Sequence, residues 1–119
     1  MSYPIEVTFH GITHSDAMEA VIREKSEKLG QYYDRISSCR IVVEAPHRRH
    51  TQGNMYQVKV EVGVPGDELV VKREADLNPH EYVAVREAFH AIERMLKEMS
   101  DKRARSARRT DPGDLPALE

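Results

Sequence analysis

The sequence predicts an α+β domain in the order β-α-β-β-β-α: a four-stranded mixed sheet with two helices packed on one face. Three observations predict it. Residues 56–64 alternate apolar and polar side chains without a break, the period-two mark of a half-buried strand. Two stretches, near 16–33 and 79–103, repeat apolar residues at helical spacing. Pro65-Gly66-Asp67 supplies hairpin chemistry directly after the cleanest strand. The 119 residues fit one compact domain. With 39% hydrophobic and 32% charged residues the surface is heavily charged, and with only five Tyr and two Phe the core must be mostly aliphatic.

In chain order, Ile5-Glu6-Val7-Thr8-Phe9 alternates as a first strand that Gly11 ends. Ser15 is placed to cap a helix, with Asp16 and Glu19 suited to its positive start. Met18, Ile22, Leu29 and Tyr33 then share one face to about residue 33, with Ser26 where a large apolar residue would be expected. A second strand spans 40–45, with Ile41 and Val43 on one side, and Pro46 stops it before a polar loop. Tyr56, Val58, Val60, Val62 and Val64 form the inner row of strand three, and residues 69–73 form strand four. Asn78-Pro79 suits a helix start. From there Tyr82, Val85, Phe89, Ile92, Leu96 and Met99 make an apolar stripe to about 103. The first helix is expected to link parallel neighbours, with strands two to four an antiparallel meander. The opposite sheet face, with Glu6, Thr8, Gln57, Lys59 and Glu61, should be wet. Residues 1–104 read as the folded domain, and aperiodic 105–119 as a flexible C-terminal tail.

Several function classes drop out. Cys39 is the sole cysteine, so neither an internal disulfide nor a cysteine cage for a metal can form, and a lone thiol fits a reducing compartment. No run approaches the roughly 20 apolar residues of a membrane span, and the start lacks a basic, apolar leader. A cytoplasmic protein without membrane contact is expected. The sequence has no G-x-S-x-G, P-loop or G-x-G-x-x-G motif. No enzyme activity, cofactor or small-molecule substrate is expected. His47-Arg48-Arg49-His50 puts two cations between its histidines, which opposes a metal ion and leaves a polar hairpin loop.

Charge points elsewhere. Residues 1–93 hold 11 Lys/Arg against 15 Asp/Glu, residues 94–109 hold seven against two, and residues 110–119 hold three acids and no base. Such concentration suits an anionic partner. Arg86, His90, Arg94 and Lys97 follow helical spacing as a ridge beside the apolar stripe, which Arg105 and Arg108 continue if the helix persists, and Lys102 and Arg103 are further candidate RNA contacts. The competing reading is surface ion pairing, Glu93 with Lys97 and Glu98 with Lys102, at tenths of a kcal/mol each. On the first helix Val21, Lys25, Lys28 and Tyr32 share a row. Two cations beside an exposed ring could bind phosphate and stack a base, or the lysines could simply cover apolar edge. Arg48 and Arg49 stand on a loop that reaches a groove or keeps an edge soluble, and Lys72 and Arg73 blunt an edge strand.

Ile12-Thr13 and Ser15, then Glu24-Lys25 and the run Glu27-Lys28-Leu29-Gly30-Gln31-Tyr32-Tyr33-Asp34-Arg35-Ile36, carry a resemblance, as does the Tyr82-containing start of the second helix. Over about residues 3–103 the chain resembles the ribosome hibernation-promoting factor and ribosome-associated inhibitor family. Members are also known as sigma-factor modulation or ribosomal subunit interface proteins. Cys39 to Arg48 looks like a short subgroup with a basic, His-containing loop. The resemblance implies a non-catalytic translation inhibitor that binds ribosomal RNA in the decoding channel of the small ribosomal subunit under stress. It implies helix-edge cations at Lys25, Lys28, Arg86, Arg94, Lys97 and Lys102. Where the family continues with lysines, this chain has Glu98 and Ser100. The additional C-terminal domain by which long members pair ribosomes is not expected here, and a monomer off the ribosome is expected. Two other readings stand beside this one. The helix-and-sheet layout also matches a double-stranded-RNA-binding domain, and a protein-interaction adaptor modulating a transcription factor would need no RNA at all.

Overall fold

Cap and turn chemistry set the limits of most elements in the computed structural model, which describes residues 3–45, 55–76 and 81–109, with side chains as far as Arg105. The strands are β1 (Ile5–His10), β2 (Ser38–Glu44), β3 (Met55–Val64) and β4 (Asp67–Asp76). The helices are α1 (Asp16–Lys28), which runs into a 3-10 turn at Leu29–Gln31, and α2 (Val83–Arg109). As expected, Ser15 caps α1, its Oγ accepting from the Met18 backbone N–H at 3.1 Å. Gly66 takes φ +76° in the β3–β4 hairpin, the second central position of a Pro-Gly turn, where only glycine sits without strain.

The sheet order is β1-β2-β3-β4, with β1 parallel to β2 and the remaining pairs antiparallel, as the sequence predicts. Register carries one buried row straight across: Val7 beside Ile41, Ile41 beside Val60, Val60 beside Val71. Both helices cover this face, α1 over β1 and α2 over β3 and β4. Ile22, Leu29, Tyr56, Phe89, Ile92 and Leu96 are sealed between the layers. Burying each such side chain contributes roughly 1.5–3 kcal/mol.

Five boundaries differ from the sequence reading. The first helix stops at Lys28 instead of continuing to about 33. The cause is Tyr3: its hydroxyl accepts from the Gly30 N–H at 3.1 Å and donates to the Ser26 carbonyl. It therefore stands between the two groups that the next α-helical hydrogen bond would join, and the chain tightens into the 3-10 turn. Leu29 and Tyr33 remain buried on the expected face. The second strand begins earlier, at Ser38. The fourth runs over ten residues, because pairing with the equally long β3 outweighs the charged ends that hide it in the sequence. The last helix reaches Arg109, so residues 105–109 extend it where a tail was expected. The same helix, expected from 79, begins only at Val83, with Glu81 and Tyr82 outside it, and Asn78-Pro79 lies outside the described residues. The Tyr56 phenol, buried in the core, instead accepts from the Ala84 N–H at 3.1 Å in the first turn of α2.

Ser26 is fully buried, and its hydroxyl donates to the Ile22 carbonyl at 2.8 Å. The small Ser26 side chain fits a fully closed space on the inner face of α1, and a hydroxyl bonded within its own helix explains how a polar residue stands in the apolar pattern. Burial pushes the Cys39 thiol up to about 11.

Candidate nucleic-acid interface

The inward face of α2 is set by Val85, Ala88, Phe89, Ile92 and Leu96. At about 100° per residue, Arg86, His90, Arg94 and Lys97 fall together on the opposite side. All four are exposed. The four therefore form an exposed row along α2, and Arg94 also borders a hollow against β4. Asp101 follows one turn beyond Lys97 on the same side, and Arg105 is exposed further on.

Neither ion pair expected along α2 forms: among the described residues no salt bridge joins Glu93 to Lys97 or Glu98 to Lys102. Within the same residues Lys25, Arg86, Arg94, Lys97 and Lys102 make no salt bridge at all. Arg103 differs. It turns toward the end of α1, where its guanidinium meets Asp34 at 3.0 Å and lies 5.9 Å from the centre of the Tyr33 ring. Lys102 turns the other way, toward Leu69 of β4.

On α1, Lys28 pairs with Glu24 at 3.5 Å, while Lys25 is half-buried. Tyr3 and Arg23 engage the β1 side of α1 (the Arg23 guanidinium reaches the Ile5 carbonyl at 3.3 Å), so Val21, Lys25, Lys28 and Tyr32 line its other flank, toward α2. Tyr32 is not the exposed ring that was expected: it is half-buried and packs against the core. Arg48 and Arg49, with His47 and His50, lie outside the described residues. Among those described, no three His, Cys, Asp or Glu side chains converge as metal ligands, and no helix is long and apolar enough to cross a membrane.

The opposite sheet face is built differently. Arg40 meets Glu6 and Glu61, each at 3.4 Å, and Lys59 meets Glu61 at 3.3 Å. Gln57 donates to Glu74 at 3.3 Å. This face is half-buried by its own side chains at Thr8, Gln57, Lys59 and Glu61, drier than expected. At the start of α1, the carboxyl of Glu19 is held below its usual range by hydrogen bonds from His14 and then Arg23. Sequence reasoning missed Tyr3 and Tyr56, which position the two helices. Their hydroxyls act across 23 and 28 residues of chain, so no local pattern signals them.

The family described as Sigma 54 modulation protein / S30EA ribosomal protein has a model that matches residues 5–104. No curated protein sequence matches the chain. Two solved structures are similar. The Protein Y N-terminal domain from Thermus thermophilus superposes with a TM-score of 0.63 at 20% identity, covering 79% of this chain and 94% of its own. A ribosomal subunit interface protein from Coxiella burnetii gives 0.64 at 22% identity, covering 82% and 98%. At these identities the likeness is one of fold.

Proposed function

The chain belongs to the Sigma 54 modulation protein / S30EA ribosomal protein family, and from that premise we propose that it is a non-catalytic translation inhibitor docking on ribosomal RNA of the small subunit. Lodged in the decoding channel, a wedge of this size excludes messenger and transfer RNA and keeps the ribosome silent and protected during stress. It works in the cytoplasm, as a monomer when off the ribosome. The similar protein from Coxiella burnetii, named for the ribosomal subunit interface, supports the same partner.

One observation carries the reading: Arg86, Arg94 and Lys97 project from one side of a rigid helix, and no described carboxylate neutralises them. Cations held in advance by packing lose little freedom on meeting a phosphate-lined wall, and each phosphate they neutralise releases counterions. Lys25 and Lys28 on the α2-facing flank of α1 extend the positive surface. Arg103 contributes by bracing the two helix ends through Asp34 and Tyr33, and it becomes available to RNA only if that pair opens.

The test is co-sedimentation with purified small subunits at about 50 mM and about 200 mM salt, with free duplex RNA as competitor. Binding at the lower salt that is lost at the higher, and that survives excess duplex, is the expected result. No co-sedimentation even at the lower salt overturns the proposal. Preferential capture by free duplex replaces it with the double-stranded-RNA-binding reading.

A further inference from the structure

Between α2 and β4 runs an open groove that shares only Arg94 with the three cations on which the ribosome-docking reading rests. Two adjoining hollows of about 350 and 330 Å³ share Met95 and Glu98 and together follow the helix from Ala91 to Arg105. The floor is apolar: Leu69 and Val71 from β4, Met95 and Met99 from α2. The walls carry Lys72, Arg73, Arg94, Lys102 and Arg105 against Glu98 and Asp101, a surplus of three positive charges. None of these five cations makes a salt bridge within the described residues.

The groove is bounded by an unusual strand. β4 spans ten residues in unbroken register with β3, and among the described strands nothing pairs with its other edge. A long regular edge offers a ladder of N–H and C=O groups to another backbone. Beside that edge stands Val70, 44% exposed, the one large hydrophobic residue so exposed among those described. Charges on an edge usually repel like strands, and Lys72 and Arg73 do this against a basic or neutral segment. An acidic segment is drawn to them.

We infer that this groove is a docking site for an extended, acidic segment of a partner protein, added as a fifth strand along β4 with its apolar side chains over Leu69, Met95 and Met99. RNA fits it poorly, because phosphates accept from the N–H groups of a strand edge but donate nothing to its C=O groups, and gain nothing from a floor of Leu and Met. A strand that alternates carboxylates with apolar residues satisfies the edge, the floor and the walls together.

The probe is a synthetic peptide of about ten residues alternating aspartate with valine and leucine, titrated against the full chain by fluorescence anisotropy. Saturable binding with new hydrogen-exchange protection of β4 amides is expected. Lys72→Glu with Arg73→Glu should weaken binding about tenfold or more while small-subunit co-sedimentation persists, since neither residue lies on the outer side of α2. No binding of the probe overturns the inference, as does equal binding of a version with lysine for aspartate or with N-methylated backbone amides. Tighter probe binding after removal of residues 110–119, which hold three acids and no base, would make the chain's own end the occupant and overturn a separate partner. Competition by self-association, or by an RNA oligonucleotide, would overturn it equally.

Discussion

On the open face of the sheet Arg40 lies between Glu6 and Glu61, and Lys59 reaches the same Glu61, whereas on the outer side of α2 Arg86, Arg94 and Lys97 meet no described carboxylate. The same residue types thus end in opposite electrostatic states. In the sheet, register decides: Glu6, Arg40 and Glu61 are direct cross-strand neighbours, close enough for the charges to find one another. On α2 the acids four residues after Arg94 and Lys97 are Glu98 and Asp101, with the cation on the N-terminal side, the weaker order for an i,i+4 pair, and Glu93, in the favourable order before Lys97, makes no salt bridge with it either. A charge is available for a partner only where the local geometry declines to neutralise it. Composition cannot report this, since the chain as a whole is slightly acidic at −2.

The largest effect that would break this contrast is on binding. Arg94→Glu with Lys97→Glu should lower small-subunit affinity by about a hundredfold at low salt and flatten the salt dependence by about two units of log–log slope. The melting temperature should hold, because neither side chain is buried or paired. Reversing Arg40 and Lys59 on the sheet face should leave affinity nearly unchanged, and equal losses from both pairs of changes would erase the distinction.

Next in size is Tyr3→Phe, which tests how firmly α1 holds Lys25 and Lys28 in place. Removing the hydroxyl leaves the Gly30 N–H and Ser26 carbonyl without their bridge, so unfolding should become easier by about 1–2 kcal/mol in a denaturant titration. An unchanged midpoint would show that the helix end closes on itself without Tyr3.

Glu61→Gln sharpens the comparison at smaller cost. It releases Lys59 and leaves Arg40 with Glu6 alone, both cations partly exposed, so stability should fall by no more than about 1 kcal/mol. If free cations anywhere promoted docking, the variant would bind ribosomes more tightly. Unchanged affinity is expected, because placement on α2 matters more than number.

At ordinary pH the smallest effect lies beneath both surfaces. The Cys39 thiol stands at about 11 in the fold against an ordinary 9, so the unfolded chain ionises first. Stability from this group is complete below about pH 9 and is lost as pH rises through about 11. Denaturation midpoints followed over that interval should decline, less steeply in Cys39→Ala.

Element order, strand pairing and the two buried helix faces were legible in the sequence because they rest on periodicity, which any window of the chain displays. Val58, Val60 and Val62 declare one face by alternation alone, and Val85, Phe89, Ile92 and Leu96 declare another by helical spacing. Boundaries were less legible. The charged ends of β4 are strand only because β3 pairs with them, and α1 ends where a hydroxyl from 27 residues away enters its hydrogen-bond ladder. Of the candidate site, the spacing of Arg86, Arg94 and Lys97 was readable, but their freedom from carboxylates was not. Nor could the sequence say that Arg103 would be tied to Asp34, 69 residues earlier, or that Tyr32 would lie half in the core.

The amino-acid order therefore determined which residues face inward, since burial pattern and backbone period are both local properties. Tertiary structure alone decided which charges are spent internally and which remain for a partner. That choice depends on distances between segments remote in the chain, and electrostatic attraction between side chains acts through those distances, not through sequence separation.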